Sequence, residues 1–569
     1  MKTIKFCLVF LLVVLSTMSI AKPRIILGSN PYSYGPDVVV IQRVIMNANN
    51  ISSYFQNTGV FFQNTTSGNL AGFEWPKGSG RTACFTAGLS IGCGINGQYA
   101  QVMASYKGEY APGHFKADYS WETNADFKMY TVKAGDNGSS NPDYANWYKI
   151  VPYGAPYKDM NNNQQFDIGI DIPGVPNSAQ TIFECMGDGD ITQRSAGEGF
   201  GGGITSPILS AEIHFTAWSY TSPVIADVQF MSWVVINRGP VRWDSTFMGV
   251  VVDPDLGDAN DDYIGCDTVL NLGYCYNADN MDGTGAPPTY GANPPVFGMD
   301  YFRSPVNKVT GDTLGLTSFV FFTNTGSNPP PCESDPNGEP IPAYTMLQGM
   351  KKDRTPFMDI TQTPPKRTKF CYPGNPPGGG WTEFQGSMQN CNGDTTGIIL
   401  TSNPSGDRRF IFNSGALDFK VNPGDTQKIV VGSFVARGTT NLNGITVLKA
   451  LSRTAQWAYD SLSTVSVSNI GAEVPAKYNL FQNYPNPFNP TTKIKFDVAS
   501  VPRWRGEGGW TSLKIYDITG RELETLVNEA LQPGTYEVTF DGSNLNSGVY
   551  FYQLITGEYK ETRKLVLLK

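Results

Sequence analysis

Histidine and charged residues are scarce in this chain. Of its 569 residues only two are histidine, and 16% are charged. His114 and His214 both fall within β-rich sequence, which favours a structural role for each of them. The formal net charge of −8 argues against nucleic-acid binding, which needs a basic surface.

Long apolar runs are missing after the first residues of the chain. Within 1–21, Lys2 and Lys5 precede an apolar run at 6–15, and Ala21 stands where a signal peptidase would cut. The apolar run is shorter than the ~20 residues that a membrane span needs. We therefore expect a secretory signal peptide at 1–21.

Cysteine is infrequent and dispersed. Nine cysteines are present, and no C-x-x-C pair or Cys/His cluster indicates zinc. Cys7 lies in the predicted signal peptide, which leaves an even number in an exported protein. That number predicts disulfides, although the pairing stays open among Cys84, Cys93, Cys185, Cys266, Cys275, Cys332, Cys371 and Cys391.

Signals for β structure are abundant, whereas helical periodicity is rare. The chain has 61 Gly, 39 Pro, 28 Tyr and 32 Phe, and its short apolar runs are bounded by turn residues. Asn96-Gly97, between two such runs, is a strong hairpin signal. The fold class we predict is mainly β, with multi-domain antiparallel β-sandwiches and few helices.

The chain is too long for one core, since domains average ~150 residues. We expect a β-rich part at 22–305 and a second β-rich domain at 306–465. Helical spacing of apolar residues predicts that the second domain ends in a helix at about 444–462. A linker at 466–473 then leads to a C-terminal Ig-like sandwich at 474–569.

The last domain begins with a proline-rich stretch, NYPNPFNPTTKIKFDV, at 483–498. Its prolines and asparagines cannot continue a helix or a central strand. Ile494, Phe496 and Val498 then alternate with polar residues, as in a half-buried strand. Further motifs follow at the turn 516–520, at the strand start SGVY and at the Lys-rich final strand.

These motifs make 474–569 resemble the C-terminal sorting domain, type A, of proteins exported by the type IX secretion system. The resemblance implies that the secretion machinery is a partner and that the protein is secreted or attached to the outer cell surface. The departure from the pattern is an insert at 501–510. The upstream part, with FEWPKGSGRTACFTAGLSIG at 73–92 and DPDLGDANDDYIGCDT at 253–268, is similar to uncharacterised large secreted proteins, a likeness that implies no activity.

An acidic stretch predicts calcium binding. No Lys or Arg lies between Arg242 and Arg303, whereas that interval holds ten aspartates. Crowded carboxylates repel one another, and a hard cation with oxygen ligands relieves the repulsion. The alternative is a solvated acidic loop with Asx turns. The candidate ligands are Asp253, Asp255, Asp258, Asp261 and Asp262.

A second calcium candidate is the loop KDMNNNQQFDIGID at 158–171. Its oxygen-bearing side chains alternate as in the first part of an EF-type loop. It departs from that pattern at Gln164, which replaces the turn glycine, and at Ile170, which replaces the bidentate acid. The alternative is a polar turn. The candidate ligands are Asp159, Asn161, Asn163, Asp167 and Asp171.

Catalytic signals are weak. Gly88 to Gly92 spell G-x-S-x-G, but a nucleophile elbow needs a helix after Ser90, and a hairpin follows instead. Glu74, Glu122 and Glu184 are carboxylates that a glycosidase would need, yet nothing in the sequence distinguishes them.

The sequence therefore favours a non-enzymatic role for the exported body. We expect a structural, adhesive or ligand-binding β-sandwich protein, stabilised by calcium, with a cell-surface or extracellular glycan or protein as its ligand. The alternative is a secreted hydrolase, a glycoside hydrolase or peptidase, whose site is built from distant carboxylates.

Overall fold

The structure is a computed structural model. It describes residues 41–568, with gaps at 67, 162, 195–205, 325–329, 377–378, 464–467, 470–474, 476, 500–508, 532–533, 543–544 and 557–558. The predicted signal peptide lies outside the described residues, and so does most of the predicted linker.

Antiparallel strands make up most of the described chain, and all of the paired strands below run antiparallel to their neighbours. The strands before residue 440 are β1 Arg43–Met46, β2 Ser52–Gln56, β3 Val60–Phe61, β4 Gln63–Asn64, β5 Leu70–Ala71, β6 Phe73–Glu74, β7 Thr82–Cys84, β8 Thr86–Ile95, β9 Gln98–Val102, β10 Ala111–Pro112, β11 His114–Phe115, β12 Trp121–Glu122, β13 Tyr130–Lys133, β14 Tyr157–Lys158, β15 Ile172–Pro173, β16 Gln180–Gly187, β17 Ala211–Ser219, β18 Val228–Asn237, β19 Asp244–Asp253, β20 Asp262–Asp267, β21 Leu272–Asn277, β22 Met281–Asp282, β23 Gly291–Ala292, β24 Val296–Arg303, β25 Ser318–Thr323, β26 Phe357–Asp359, β27 Lys366–Thr368, β28 Ser387–Gln389, β29 Ile398–Leu400, β30 Arg408–Gly415 and β31 Thr426–Ala436.

The C-terminal strands are β32 Ser468–Asn469, β33 Asn479–Leu480, β34 Thr491–Val498, β35 Gly509–Tyr516, β36 Glu522–Leu531, β37 Gly534–Asp541, β38 Gly548–Thr556 and β39 Tyr559–Leu567. The α-helices of the described chain are α1 Pro142–Ala145, α2 Pro340–Leu347 and α3 Asn441–Ser463. Helix α3 occupies the position where the sequence predicts one. None of the described helices combines the length and the apolar character required to cross a bilayer.

Two large sheets build the body of the molecule. One has ten strands, with the central order β25-β30-β19-β8-β3-β2-β6-β7, to which β1 is added beside β2 and β9 beside β8. The other has nine, with the central order β10-β16-β17-β18-β31-β24-β21-β20, to which β13 is added beside β16. The sheets pack face to face, since Phe61 of the first and Trp233 of the second have ring centroids 5.9 Å apart. Leu89 and Met231 are fully buried in the same core. The predicted β-sandwich class is confirmed.

Both large sheets combine strands from the two spans that the sequence separates at 305/306. In the ten-stranded sheet β19 pairs with β30, and in the nine-stranded sheet β18 pairs with β31. These strands are far apart in sequence, so hydrogen bonds cross residue 305 in each layer. That boundary therefore does not coincide with a boundary between sheets.

Two outer layers cover the far side of the nine-stranded sheet. At one end Leu448 and Ala455 of α3 pack with Phe434 of β31. At the other end Trp147 and Phe183 share a smaller buried cluster contributed by the segment 127–155 and by β16. The sheet is therefore buried on both faces, which matches its nearly continuous apolar strands.

The C-terminal part forms two four-stranded sheets, β32-β37-β34-β33 and β36-β35-β38-β39. The side chains predicted to start its core, Ile494, Phe496 and Val498, are buried together with Leu513 of the opposite sheet. The Ig-like connectivity of this sandwich stays a prediction.

The proline-rich stretch before β34 is tied to the last strand. The N–H of Phe488 donates to the carbonyl of Val566 at 2.9 Å, and the N–H of Leu568 donates back to Phe488 at 2.9 Å. Asn483 is buried, and its backbone N–H donates to the hydroxyl of Tyr552 at 2.9 Å. The stretch is thus part of the sandwich and not a free linker.

One disulfide joins Cys332 to Cys391 across 59 residues. The prediction of a disulfide is confirmed for this pair. The remaining cysteines of the described chain are free and buried, and they are Cys84, Cys93, Cys185, Cys266, Cys275 and Cys371.

Candidate functional site

The predicted calcium loop at 159–171 closes on itself through its own side chains. Asp159 accepts hydrogen bonds from the backbone N–H groups of Asn163 at 3.3 Å and Gln164 at 2.7 Å. The side-chain amides of Asn161 and Asn163 both donate to Asp167, at 2.7 and 2.6 Å. Three of the predicted ligands therefore meet at the Asp167 carboxylate.

Asp171 anchors the end of this loop. It is buried, and it accepts from the backbone N–H of Met160 at 2.8 Å and of Asp167 at 2.7 Å. Gln164 has a φ of 63°, the left-handed conformation for which an EF-type loop normally uses glycine. The chain thus makes the sharp turn that the sequence pattern requires, although the turn residue has a side chain.

A cleft of about 210 Å³ lies directly beside this loop. Its walls are the segments 132–136 and 172–178, together with Tyr144 and Lys158. The loop joins β14 to β15, which pair with each other, and each of these strands contributes to the wall. The loop is therefore continuous in the chain with one side of the cleft.

The second predicted calcium set, at 253–262, is distributed over separate hydrogen-bond networks. Asp262 is buried and accepts from the N–H of Leu256 at 3.0 Å. Asp258 accepts from the N–H of Asn260 at 3.1 Å. Asp261 accepts from the side-chain amide of Asn277 at 2.6 Å. The list of candidate ligands at this stretch remains a prediction.

Asp253 and Asp255 lie close to Asp407, which the sequence does not identify as a candidate ligand. Their carboxylates lie within 4.8 Å of each other and of Asp407. Arg409 pairs with Asp253 at 3.3 Å and with Asp407 at 2.6 Å. Burial raises the pKa of Asp253 to about 6, and burial and the Asp253 charge raise the pKa of Asp255 well above its ordinary value. This acidic group already has a counter-ion in Arg409.

A further polar cluster lies on the outer face of the nine-stranded sheet. Cys185, Glu212 and His214 have ligand atoms that all lie within 4.8 Å of one another. Sequence reasoning missed the cluster because β16 and β17 bring it together, with Cys185 directly opposite His214. No spacing rule within one segment reveals such a pair.

Glu212 is the most tightly held member of this cluster. Its carboxylate accepts from His214 Nε2 at 2.9 Å, from Arg238 at 2.8 Å and from the N–H of Phe115 at 3.0 Å. Although burial opposes ionisation, these donors lower the pKa of Glu212 to about 2. Glu212 is therefore a carboxylate at neutral pH.

The residues considered for catalysis occupy different places. Ser90 is fully buried within β8, where a strand and not a strand-to-helix turn surrounds it. Glu74 accepts from the N–H of Gly80 at 2.7 Å, and Glu122 pairs with Lys116 at 3.5 Å. Glu184 is buried in β16. The three glutamates stand on three different strands.

The C-terminal eight-stranded sandwich has its proline-rich lead-in tied to its last strand. Residues 482–568 match the family described as the secretion system C-terminal sorting domain. The predicted type IX sorting domain is thereby confirmed at the C-terminus, and the protein is secreted or attached to the cell surface. A comparison with curated proteins gives no significant match.

Proposed function

We propose that the exported body is a calcium-stabilised β-sandwich protein that binds a glycan in the cleft beside the loop 159–171. The observation that supports the proposal is the position of this loop. Its candidate ligands form one hydrogen-bonded turn, and the strands on either side of the turn line the cleft.

Oxygen-rich side chains make calcium the suitable cation for this loop. Carboxylates and amide carbonyls are the ligands that Ca²⁺ prefers, and its site tolerates irregular geometry. Asn161 and Asn163 now direct their amide nitrogens at Asp167. If each side-chain amide rotates by half a turn, its oxygen takes the place of its nitrogen. A calcium ion between these side chains would then be surrounded by oxygen atoms only.

The cleft suits a polar ligand. Lys133 and Lys158 lie on its walls together with Tyr144 and one acid, Asp136. The Asp136 carboxylate accepts from the N–H of Lys133 and from the side-chain amide of Asn141, each at 2.7 Å, so the two lysines and the aromatic residue remain to contact a sugar. Lys133 is hydrogen-bonded to Asn47 at 2.8 Å, which holds its ammonium group in place. We therefore propose a glycan, and acidic glycans above neutral ones.

Calcium binding is tested by melting curves of the mature chain with calcium and with a chelator. We expect calcium to raise the melting temperature, since a ligand at 100 times its Kd stabilises the folded state by about 2.7 kcal/mol. The double variant Asp159→Asn, Asp167→Asn should lose the shift. The control is Asp118→Asn, which changes an exposed Asx turn of the same kind. Identical melting curves in calcium and in chelator, with no bound calcium, would refute the proposal.

The same proteins then serve for a glycan-binding screen. We expect wild type to bind acidic glycans more strongly with calcium than without it, and Lys158→Ala to bind weakly. If no glycan is retained by wild type, the ligand assignment is wrong even where calcium binds. Release of shorter sugars from the screened glycans would instead support the secreted hydrolase.

A further inference from the structure

We propose that Cys185, Glu212 and His214 form a zinc site on the outer face of the nine-stranded sheet. This site is separate from the calcium loop, and it does not depend on the function proposed above. The observation behind it is the grouping of a sulfur, a carboxylate oxygen and a ring nitrogen within 4.8 Å of one another.

Sheet geometry places the three side chains on one face. Cys185 of β16 is the register partner of His214 of β17. Glu212 precedes His214 by two residues, and residues two apart in a strand point to the same side. The segment 127–155 covers this side of β16, so the cluster lies between a rigid sheet and an outer layer.

The donor set matches zinc. Zn²⁺ is bound by Cys, His and carboxylate side chains, and three protein ligands leave the fourth tetrahedral position open. With metal–ligand bonds of 2.0 to 2.3 Å, ligand atoms around tetrahedral zinc lie about 3.5 Å apart. The ligand atoms lie within 4.8 Å of one another, so the sulfur has to approach the other two by at most about 1.3 Å. His214 Nε2 and Glu212 Oε1, which are 2.9 Å apart, have to separate by about 0.5 Å.

The charges of the ligands allow a zinc ion to be buried in this cluster. When zinc binds, the Cys185 thiol releases its proton to solvent, and His214 binds through Nε2 with its ring proton on Nδ1. One thiolate and the Glu212 carboxylate then offset the two positive charges of the ion, while Arg238, which pairs with Glu212 at 2.8 Å, is 41% exposed and keeps its own charge in contact with solvent. A neutral group costs far less to bury than a charged one.

Neighbouring hydrogen-bond donors fix the position of the Glu212 carboxylate. Arg238 and the backbone N–H of Phe115 donate to Glu212, as outer-shell donors do for ligating carboxylates. His214 has a side-chain exposure of 13% whereas that of Glu212 is 1%, so solvent reaches the cluster from the His214 side. Gly154 lies against the ring there, and a Cβ at that position would be 2.7 Å from Nδ1.

The test uses the purified mature chain, stripped of metal and then titrated with zinc or cobalt. We expect one zinc per chain by elemental analysis, and a thiolate-to-cobalt charge-transfer band when cobalt replaces zinc. Cys185→Ser should remove the band and weaken zinc binding by more than about 10-fold. The matched control is Cys93→Ser, another free and buried cysteine, which should keep both properties.

Two results would overturn the proposal. In one, wild type retains no zinc and shows no charge-transfer band. In the other, Cys185→Ser binds metal as wild type does. Circular dichroism checks that Cys185→Ser is folded; if it is not, His214→Gln, at the more exposed side chain, replaces it and should also weaken zinc binding. A metal content that falls only in the loop variant Asp159→Asn, Asp167→Asn would assign the ion to the calcium loop and contradict the zinc site.

Discussion

At the scale of single residues, Glu184 is unfavourably placed. It is fully buried in β16, and within the described residues neither of its carboxyl oxygens has a hydrogen-bond partner. Burial raises its pKa well above the ordinary value, so the folded state favours the protonated acid. Its neighbours on the same face of the strand, Ile182 and Met186, are apolar core residues.

Replacing Glu184 with an apolar side chain should therefore stabilise the protein. We expect Glu184→Met to raise the free energy of unfolding by about 1–3 kcal/mol, since an unpaired buried polar group costs that much. Glu184→Gln is the matched control and should gain less than Glu184→Met, because the amide removes the cost of protonating the acid on folding at pH 7 but leaves a polar group buried. Denaturant unfolding at pH 7 measures both, and a loss of stability in Glu184→Met would show that the carboxyl group has an energetically useful partner.

At the scale of elements, α3 is joined to its sheet by a buried acid. The hydroxyl of Ser452 in α3 donates to Asp300 of β24, and both residues are buried. Burial raises the pKa of Asp300 to about 8, although the bond from Ser452 lowers it. The folded state therefore prefers the protonated acid, whereas the unfolded chain ionises near pH 4.

This contact should weaken as the pH rises. Because the folded pKa is the higher one, the contribution of Asp300 to stability is complete below about pH 4 and declines up to about pH 8. We expect Asp300→Asn, which cannot ionise, to lose less stability than wild type between pH 5 and pH 8. Denaturant unfolding at the two pH values measures the difference. Parallel losses in both proteins would contradict the assignment.

Local features of the elements follow from sequence, and long-range pairings do not. Asn96 and Gly97 have φ values of 51° and 77°, as the hairpin signal predicts, and they join β8 to β9. The alternation of Ile494, Phe496 and Val498 likewise specifies a buried face. In contrast, the pairing of β8 with β19 and the grouping of Cys185 with His214 depend on tertiary contacts, which a single sequence does not encode as a local pattern.

The two candidate calcium sites also differ in whether they are local in the sequence. The loop 159–171 is local, and its turn could be predicted from the spacing of oxygen-bearing side chains. The position of Gln164 in the left-handed region was unexpected, because that region normally favours glycine. Asp407 and Arg409 are more than a hundred residues from Asp253, so no spacing indicates that they would meet it.

At the scale of the whole molecule, export depends on the C-terminal sandwich. We expect a chain without residues 474–569 to accumulate in the periplasm, because it lacks the domain that the type IX machinery recognises. Cell fractionation and surface labelling measure the distribution. As the converse control, fusion of 474–569 to an unrelated periplasmic protein should send that protein to the surface. Normal surface delivery of the truncated chain would refute the assignment.

The hydrogen bonds between Phe488 and the strand at Val566 and Leu568 have a consequence for the order of events in the cell. The lead-in of the sorting domain is held by its last strand, so the sandwich is complete only when β39 is present. A chain whose translation stops early therefore lacks a folded export signal. We expect the cell to retain such incomplete products, which cell fractionation of a chain without β39 would measure.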